Sequence, residues 1–154
     1  MNRTPFHIPS HPLLSPVLAA MLAVGASGMS ASALADTALQ ATLSGASEVP
    51  PVQSSATGNV DASLNPSTRM LSWTVNYTGL SGPASAAHFH GPAMAGQNAG
   101  VVVPLSGKMS SPIKGSATLT SDQMADLLAG KWYVNVHTQS NPGGEIRGQV
   151  TVRP

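Results

Sequence analysis

The sequence predicts an all-β domain, an antiparallel Greek-key sandwich or barrel of about eight strands with one short helix. Its 15 glycines and 13 prolines are spread between short runs rich in Val, Thr, Leu and Ala, which is typical of strands joined by turns. Within 132–138, Trp132, Val134 and Val136 alternate with more polar residues, as expected for a strand with one face in the core. Eight such runs at short spacing favour a sandwich or a barrel.

The strand boundaries follow from these runs and the turns between them. Asn65 and Pro66 predict a turn between the second and third strands, and the segment 141–144 (NPGG) predicts a turn between the last two. The predicted strands are 38–44, 56–64, 70–77, 86–90, 100–105, 113–119, 132–138 and 145–152.

One helix is predicted between the sixth and seventh strands. Ser121 is the expected N-cap and Gly130 the expected end. Met124, Leu127 and Leu128 fall at i, i+3 and i+4, which gives the helix one apolar face for covering an end of the domain.

The N-terminal segment predicts export. Arg3 precedes a mostly apolar run at 13–24, and 33–35 (ALA) provides an A-x-A cleavage site. The apolar run is shorter than the ~20 residues that span a bilayer. We therefore expect residues 1–35 to be a cleaved signal peptide and 36–154 to be one mature domain, periplasmic or secreted, with no membrane span after cleavage.

Composition excludes several classes of function. Beyond residue 35 the six Lys and Arg balance the six Asp and Glu, so there is no basic patch and we expect no nucleic-acid partner. The chain has no cysteine, which removes disulfides, thiolate metal sites and thiol catalysis. No nucleophile–base pair or phosphate-binding loop is evident, and we expect a binding protein rather than an enzyme.

The histidines carry the strongest chemical signal. Beyond residue 35 there are three, His88, His90 and His137, all at predicted strand ends. A His-x-His pair on a strand places both rings on one face, with Cα atoms about 6.5–7 Å apart. A third imidazole from a neighbouring strand completes a three-nitrogen site suited to copper or zinc. The alternative is that these histidines make structural hydrogen bonds at loop junctions.

Four further residues are candidates to support such a site. Tyr133 and Asn135 share a strand face with His137, and Glu145 and Arg147 lie two apart on the last predicted strand. Glu145 and Arg147 are expected to form a structural ion pair. Alternatively, they reach the histidines, where Glu145 accepts a free imidazole N–H and orients the ring, or Arg147 guides a substrate.

Three segments together resemble the chordin-domain (CHRD) family. They are 43–52 (LSGASEVPPV), 87–93 (AHFHGPA) and 133–138 (YVNVHT) with 141–149, and they span nearly all of 36–154. The resemblance implies an extracellular or periplasmic β-domain. Because the biochemical role of the family is poorly defined, it supplies no function by itself, and a protein partner stays unidentified.

A more distant resemblance is to the copper side of copper/zinc superoxide dismutases, which are Greek-key proteins with a His-x-His pair and a distant histidine on copper. It implies copper-ligand roles for His88, His90 and His137. The fourth, bridging histidine, the zinc cluster and the disulfide cysteines have no counterparts here, and Arg147 is only a candidate for the guiding arginine.

The sequence therefore predicts a copper-binding or copper-handling protein, with zinc as the alternative metal. An interaction module for proteins or surface polymers, with structural histidines, is the first alternative. A copper-dependent dismutase-like enzyme is the second.

Overall fold

The computed structural model describes Met1 and residues 34–154. The predicted signal peptide, residues 1–35, therefore lies almost entirely outside the described residues. Within the described part of the chain, no helix has the length and apolar character needed to cross a membrane.

The domain is an antiparallel, nearly closed barrel of eight strands with one α-helix, which confirms the predicted class and selects the barrel over the sandwich. The helix is α1, Ser121–Leu128, and a short 3-10 turn covers Gly45–Ser47. The strands are β1 Thr37–Ser44, β2 Thr57–Asn65, β3 Met70–Thr78, β4 Ala84–His90, β5 Val101–Pro104, β6 Ile113–Thr118, β7 Tyr133–Thr138, β8 Ile146–Gln149 and the two-residue β9, Thr151–Val152.

The strands are hydrogen-bonded in the order β5-β4-β7-β8-β1-β2-β3-β6, and β9 pairs with β1. The connections β3–β4, β5–β6 and β6–β7 each join strands that are not neighbours in this order. This is the connectivity of a Greek-key barrel rather than of an up-and-down barrel.

Alternate residues of the strands fill the barrel, as the period of two in the sequence predicts. Phe89 packs edge-on against Trp73, with ring centroids 5.2 Å apart, and lies 6.0 Å from Trp132. Aliphatic side chains complete the core, among them Leu39, Leu43, Val60, Leu64, Leu71, Val75, Ile113, Val134, Val136 and Ile146.

Three local predictions were wrong, in whole or in part. The last strand is not continuous, because β8 ends at Gln149 and β9 resumes at Thr151. The N-cap of α1 is Thr120 rather than Ser121, since Thr120 and Gln123 bond reciprocally in a capping box. Of the predicted apolar face, Leu127 is buried, whereas Leu128 is exposed.

The pairing of β4 with β7 positions the histidines. In this antiparallel pair Ala86 lies opposite His137, His88 opposite Asn135, and His90 opposite Tyr133. Phe89 points into the core, so its neighbours His88 and His90 lie on the outer face of the barrel wall.

Candidate metal centre

The three histidines meet, as their spacing predicts. One ring nitrogen of each of His88, His90 and His137 lies within 4.8 Å of the others. His90 and His137 are each 8% exposed, and His88 is half-buried. The cluster is therefore covered by protein on most sides and reaches solvent mainly through His88.

His88 and His137 form the closest pair, with Nδ1 of His88 3.0 Å from Nε2 of His137. Nδ1 of His137 lies 3.0 Å from the carbonyl oxygen of Pro142, which can only accept, so Nδ1–H donates and Nε2 carries a lone pair. Two nitrogens bound to one ion at ~2.0–2.1 Å stand about 3.3 Å apart at the tetrahedral angle and at most about 4.2 Å apart. The 3.0 Å separation of His88 and His137 is that of a hydrogen bond and lies near the tetrahedral value. The three nitrogens together spread to 4.8 Å, so the third ring has to move inward to share the ion.

His90 is held between a loop and a side chain. Its Nδ1 lies 3.0 Å from the carbonyl oxygen of Ala99, in the 91–100 loop that joins β4 to β5, and its Nε2 lies 3.0 Å from Oδ1 of Asn135. The ring stacks on Tyr133 with 4.7 Å between centroids and an interplanar angle of 1°. A neutral imidazole has one N–H and so donates to only one of the two oxygens at a time.

Arg147 stacks on Tyr133, with its guanidinium carbon 3.4 Å from the ring centroid. Because His90 comes from β4 and Arg147 from β8, on opposite sides of β7, the ring of Tyr133 lies between them. Arg147 is 2% exposed and donates to Oδ1 of Asn98, at 2.8 Å, and to the carbonyl oxygen of Gln97. It thus fixes the 91–100 loop and is not free to guide a substrate.

Glu145 neither pairs with Arg147 nor reaches an imidazole, so both expectations for it were wrong. Its carboxylate is fully buried and accepts hydrogen bonds from Ser54 Oγ (2.8 Å), Ser81 N (2.8 Å), Ser81 Oγ (2.6 Å) and Thr138 Oγ1 (2.7 Å). Four donors from three segments occupy both oxygens, which leaves none for a histidine. Glu145 instead fastens the end of β7 to two loops.

The environment favours the neutral form of His88 and of His137. Burial lowers the pKa of His88 below its usual value, and the charges of His137 and His90 lower it further. Burial also lowers the pKa of His137; the hydrogen bond to Pro142 opposes this, and the charge of His90 adds to it. The neutral ring is the form that binds metal.

Sequence reasoning missed the backbone groups of the site. The carbonyl oxygens of Ala99 and Pro142 orient His90 and His137 from the 91–100 loop and from the 139–145 turn between β7 and β8. A pattern of side chains in the sequence does not show where a backbone carbonyl oxygen of a loop will lie in the fold. The glycines and prolines of both segments were the available signal, because they mark where the chain folds back beside the strand ends.

Fold and site together define a small antiparallel barrel with a three-histidine cluster on its outer wall. The chain belongs to the CHRD domain family, whose model matches residues 39–150, so the resemblance read from the sequence is confirmed. The match includes all three histidines. No curated protein and no solved structure gives a significant match to the chain.

Proposed function

We propose that this CHRD domain binds one copper ion through His88, His90 and His137 and serves in copper binding or handling outside the cytoplasm. The 3.0 Å approach of two ring nitrogens, with the third imidazole beside them, is the observation that carries the proposal. An all-imidazole donor set suits copper and zinc, and zinc is the alternative metal. The apolar segment and A-x-A site within residues 1–35 support the periplasm or secretion.

Two contacts leave the cluster suited to a metal ion, and the His88–His137 approach of 3.0 Å is equally that of a hydrogen bond. The Pro142 carbonyl holds His137 with a lone pair on the nitrogen that faces His88. A carbonyl that fixes the outer nitrogen of a metal-binding histidine is the usual way such a ring is oriented.

We do not propose dismutation. The candidate for guiding the superoxide anion, Arg147, is buried with its guanidinium committed to Tyr133, Gln97 and Asn98.

A metal titration tests the proposal. The mature chain, residues 36–154, which lacks His7 and His11, and its variants His88→Ala, His90→Ala and His137→Ala are titrated with Cu(II) and with Zn(II) in a calorimeter. We expect one ion per wild-type chain and a loss of affinity of more than about tenfold, or about 1.4 kcal/mol, in each variant.

Met94→Ala is the matched control, because Met94 is exposed in the 91–100 loop and offers a sulfur donor. It should bind as the wild type does. Wild-type affinity in His137→Ala would exclude the three-histidine site.

A further inference from the structure

Glu48 is a buried carboxylate near the buried guanidinium of Arg147, and one of its oxygens is left without a partner among the described residues. It follows the 3-10 turn Gly45–Ser47, and its backbone N–H donates to the carbonyl oxygen of Gly45. The residue is 5% exposed, and its Oε1 has no hydrogen-bond partner within the described part of the chain. A buried polar atom without a partner is unfavourable by about 1–3 kcal/mol, so its position calls for a reason.

The neighbour of this oxygen is the amide of Asn135. A Cβ atom at Gly144 would overlap Glu48 Oε1 and lie 2.7 Å from Asn135 Nδ2. Oε1 of Glu48 and Nδ2 of Asn135 therefore lie on either side of the same point beside Gly144 and are at most about 5 Å apart. A small side-chain rotation or one bridging water is enough to join two polar atoms at that distance. Gly144, with φ of 127°, leaves this space open.

The opposite end of the same amide faces the histidine cluster. Oδ1 of Asn135 lies 3.0 Å from Nε2 of His90. An amide has an acceptor at one end and two donors at the other. Nδ2 of Asn135 also donates to the carbonyl oxygen of Gly143 at 3.5 Å. The nitrogen end of the amide therefore faces Gly143, Gly144 and Glu48, and the oxygen end faces His90.

We propose that Glu48 is a positioning residue of the histidine cluster: its carboxylate attracts Nδ2 of Asn135 and so turns Oδ1 of that amide toward His90. An ionised carboxylate only accepts hydrogen bonds, so it favours this amide orientation over the reverse. Asn135 in turn sets which nitrogen of His90 carries the proton. The predicted effect on copper affinity rests on the proposed metal site, because it requires His90 to be a ligand.

Glu48 changes its charge closer to neutral pH than an exposed carboxylate does. Burial raises its pKa to about 7, while the charge of Arg147 and the backbone hydrogen bond from Val49 lower it. The carboxylate is therefore less firmly ionised near neutrality than an exposed one. Glu145, buried elsewhere among four donors, has the opposite environment.

The test uses Glu48→Gln in the metal-free, nitrogen-15-labelled full chain. Glutamine keeps the shape but both donates and accepts, so it no longer favours one orientation of Asn135. We expect the side-chain amide resonances of Asn135 and the ring-nitrogen resonances of His90 to shift. Copper affinity should also fall by about tenfold, the lower end of the effect of such supporting residues.

Glu145→Gln is the control, because it alters a buried carboxylate whose contacts do not include Asn135 or His90. It should lower the unfolding temperature and leave those resonances in place. If Glu48→Gln does not fold, Glu48→Asp, which keeps the charge but withdraws it by one carbon, should shift the same resonances.

The outcomes separate this inference from the metal proposal. Unchanged Asn135 and His90 resonances in the folded Glu48 variant overturn the positioning role, even if copper binds. Shifted resonances in a protein that binds no metal support the positioning role and remove the metal function.

Discussion

Two carbonyl oxygens lie beside ring nitrogens of the histidine cluster. Pro142 accepts from Nδ1 of His137, and Ala99 lies beside Nδ1 of His90. Each oxygen belongs to a loop, so the strands place the rings and the loops orient them. The meeting of the three histidines could be predicted from their spacing, because side-chain direction on a strand has a period of two.

Glu145 shows where residue-level prediction fails. Its separation of two from Arg147 predicts a pair on one strand face, but β8 begins at Ile146, so Glu145 precedes the ladder. Burial would raise its pKa, yet the hydrogen bonds from Ser81, Thr138 and Ser54 outweigh burial and lower the pKa to about 2. Those partners come from distant segments, which no local pattern connects.

Glu145→Gln should destabilise the fold by about 2–3 kcal/mol above pH 5, because a charged acceptor with four donors is replaced by a neutral one. The pKa of this carboxylate is lower in the folded protein than its ordinary value of 4.5. The stabilisation of the folded state by the ionised carboxylate is therefore complete above pH 4.5 and is lost as the pH falls toward 2. Urea unfolding of both proteins across this range measures the difference.

The wild type and Glu145→Gln should converge in stability as acid is added. A difference that stays constant from pH 6 to pH 3 would mean that the charge of Glu145 contributes nothing.

At the scale of elements, the 139–145 turn links the site to the barrel. It returns the chain from β7 to β8, supplies the Pro142 carbonyl, and brings Gly144 between Glu48 and Asn135. A turn at 141–144 could be predicted from Asn-Pro-Gly-Gly. The sequence could not predict that Gly144 is sterically required and Gly143 is not, because this difference depends on the contact with Glu48, which is far away in sequence.

Gly144→Ala should destabilise the protein by at least about 1–3 kcal/mol, because φ is 127° and a Cβ would overlap Glu48 Oε1. Gly143→Ala is the matched control, since a Cβ there meets nothing within 4 Å, and it should change stability by less than about 0.5–1 kcal/mol. Chemical denaturation of both variants gives the comparison. Equal free energies of unfolding for the two variants would contradict the predicted clash and backbone strain at Gly144.

Strand and helix predictions succeeded where one periodicity runs unbroken. The run in 70–77 matches β3 closely, and the alternation in β7 places Val134 and Val136 in the core as expected. The cap of α1 was misplaced by one residue because Ser121 and Thr120 are both good caps. The reciprocal bond with Gln123 decides between them.

At the scale of the molecule, the barrel brings the histidines together by pairing β4 with β7, whose paired residues His90 and Tyr133 lie 43 positions apart along the chain. Class and approximate strand number could be predicted from local patterns. The choice of barrel over sandwich depends on strand pairings between distant segments, such as β8 with β1, and a single sequence does not encode these locally.

The central claim is that three imidazoles from these two strands share one ion. Electron paramagnetic resonance of the mature chain, residues 36–154, loaded with one equivalent of Cu(II) above neutral pH, tests it by counting the nitrogens coupled to the copper. We predict three nitrogens in the wild type and two in His137→Ala. The same nitrogen count in both proteins would contradict the three-histidine centre.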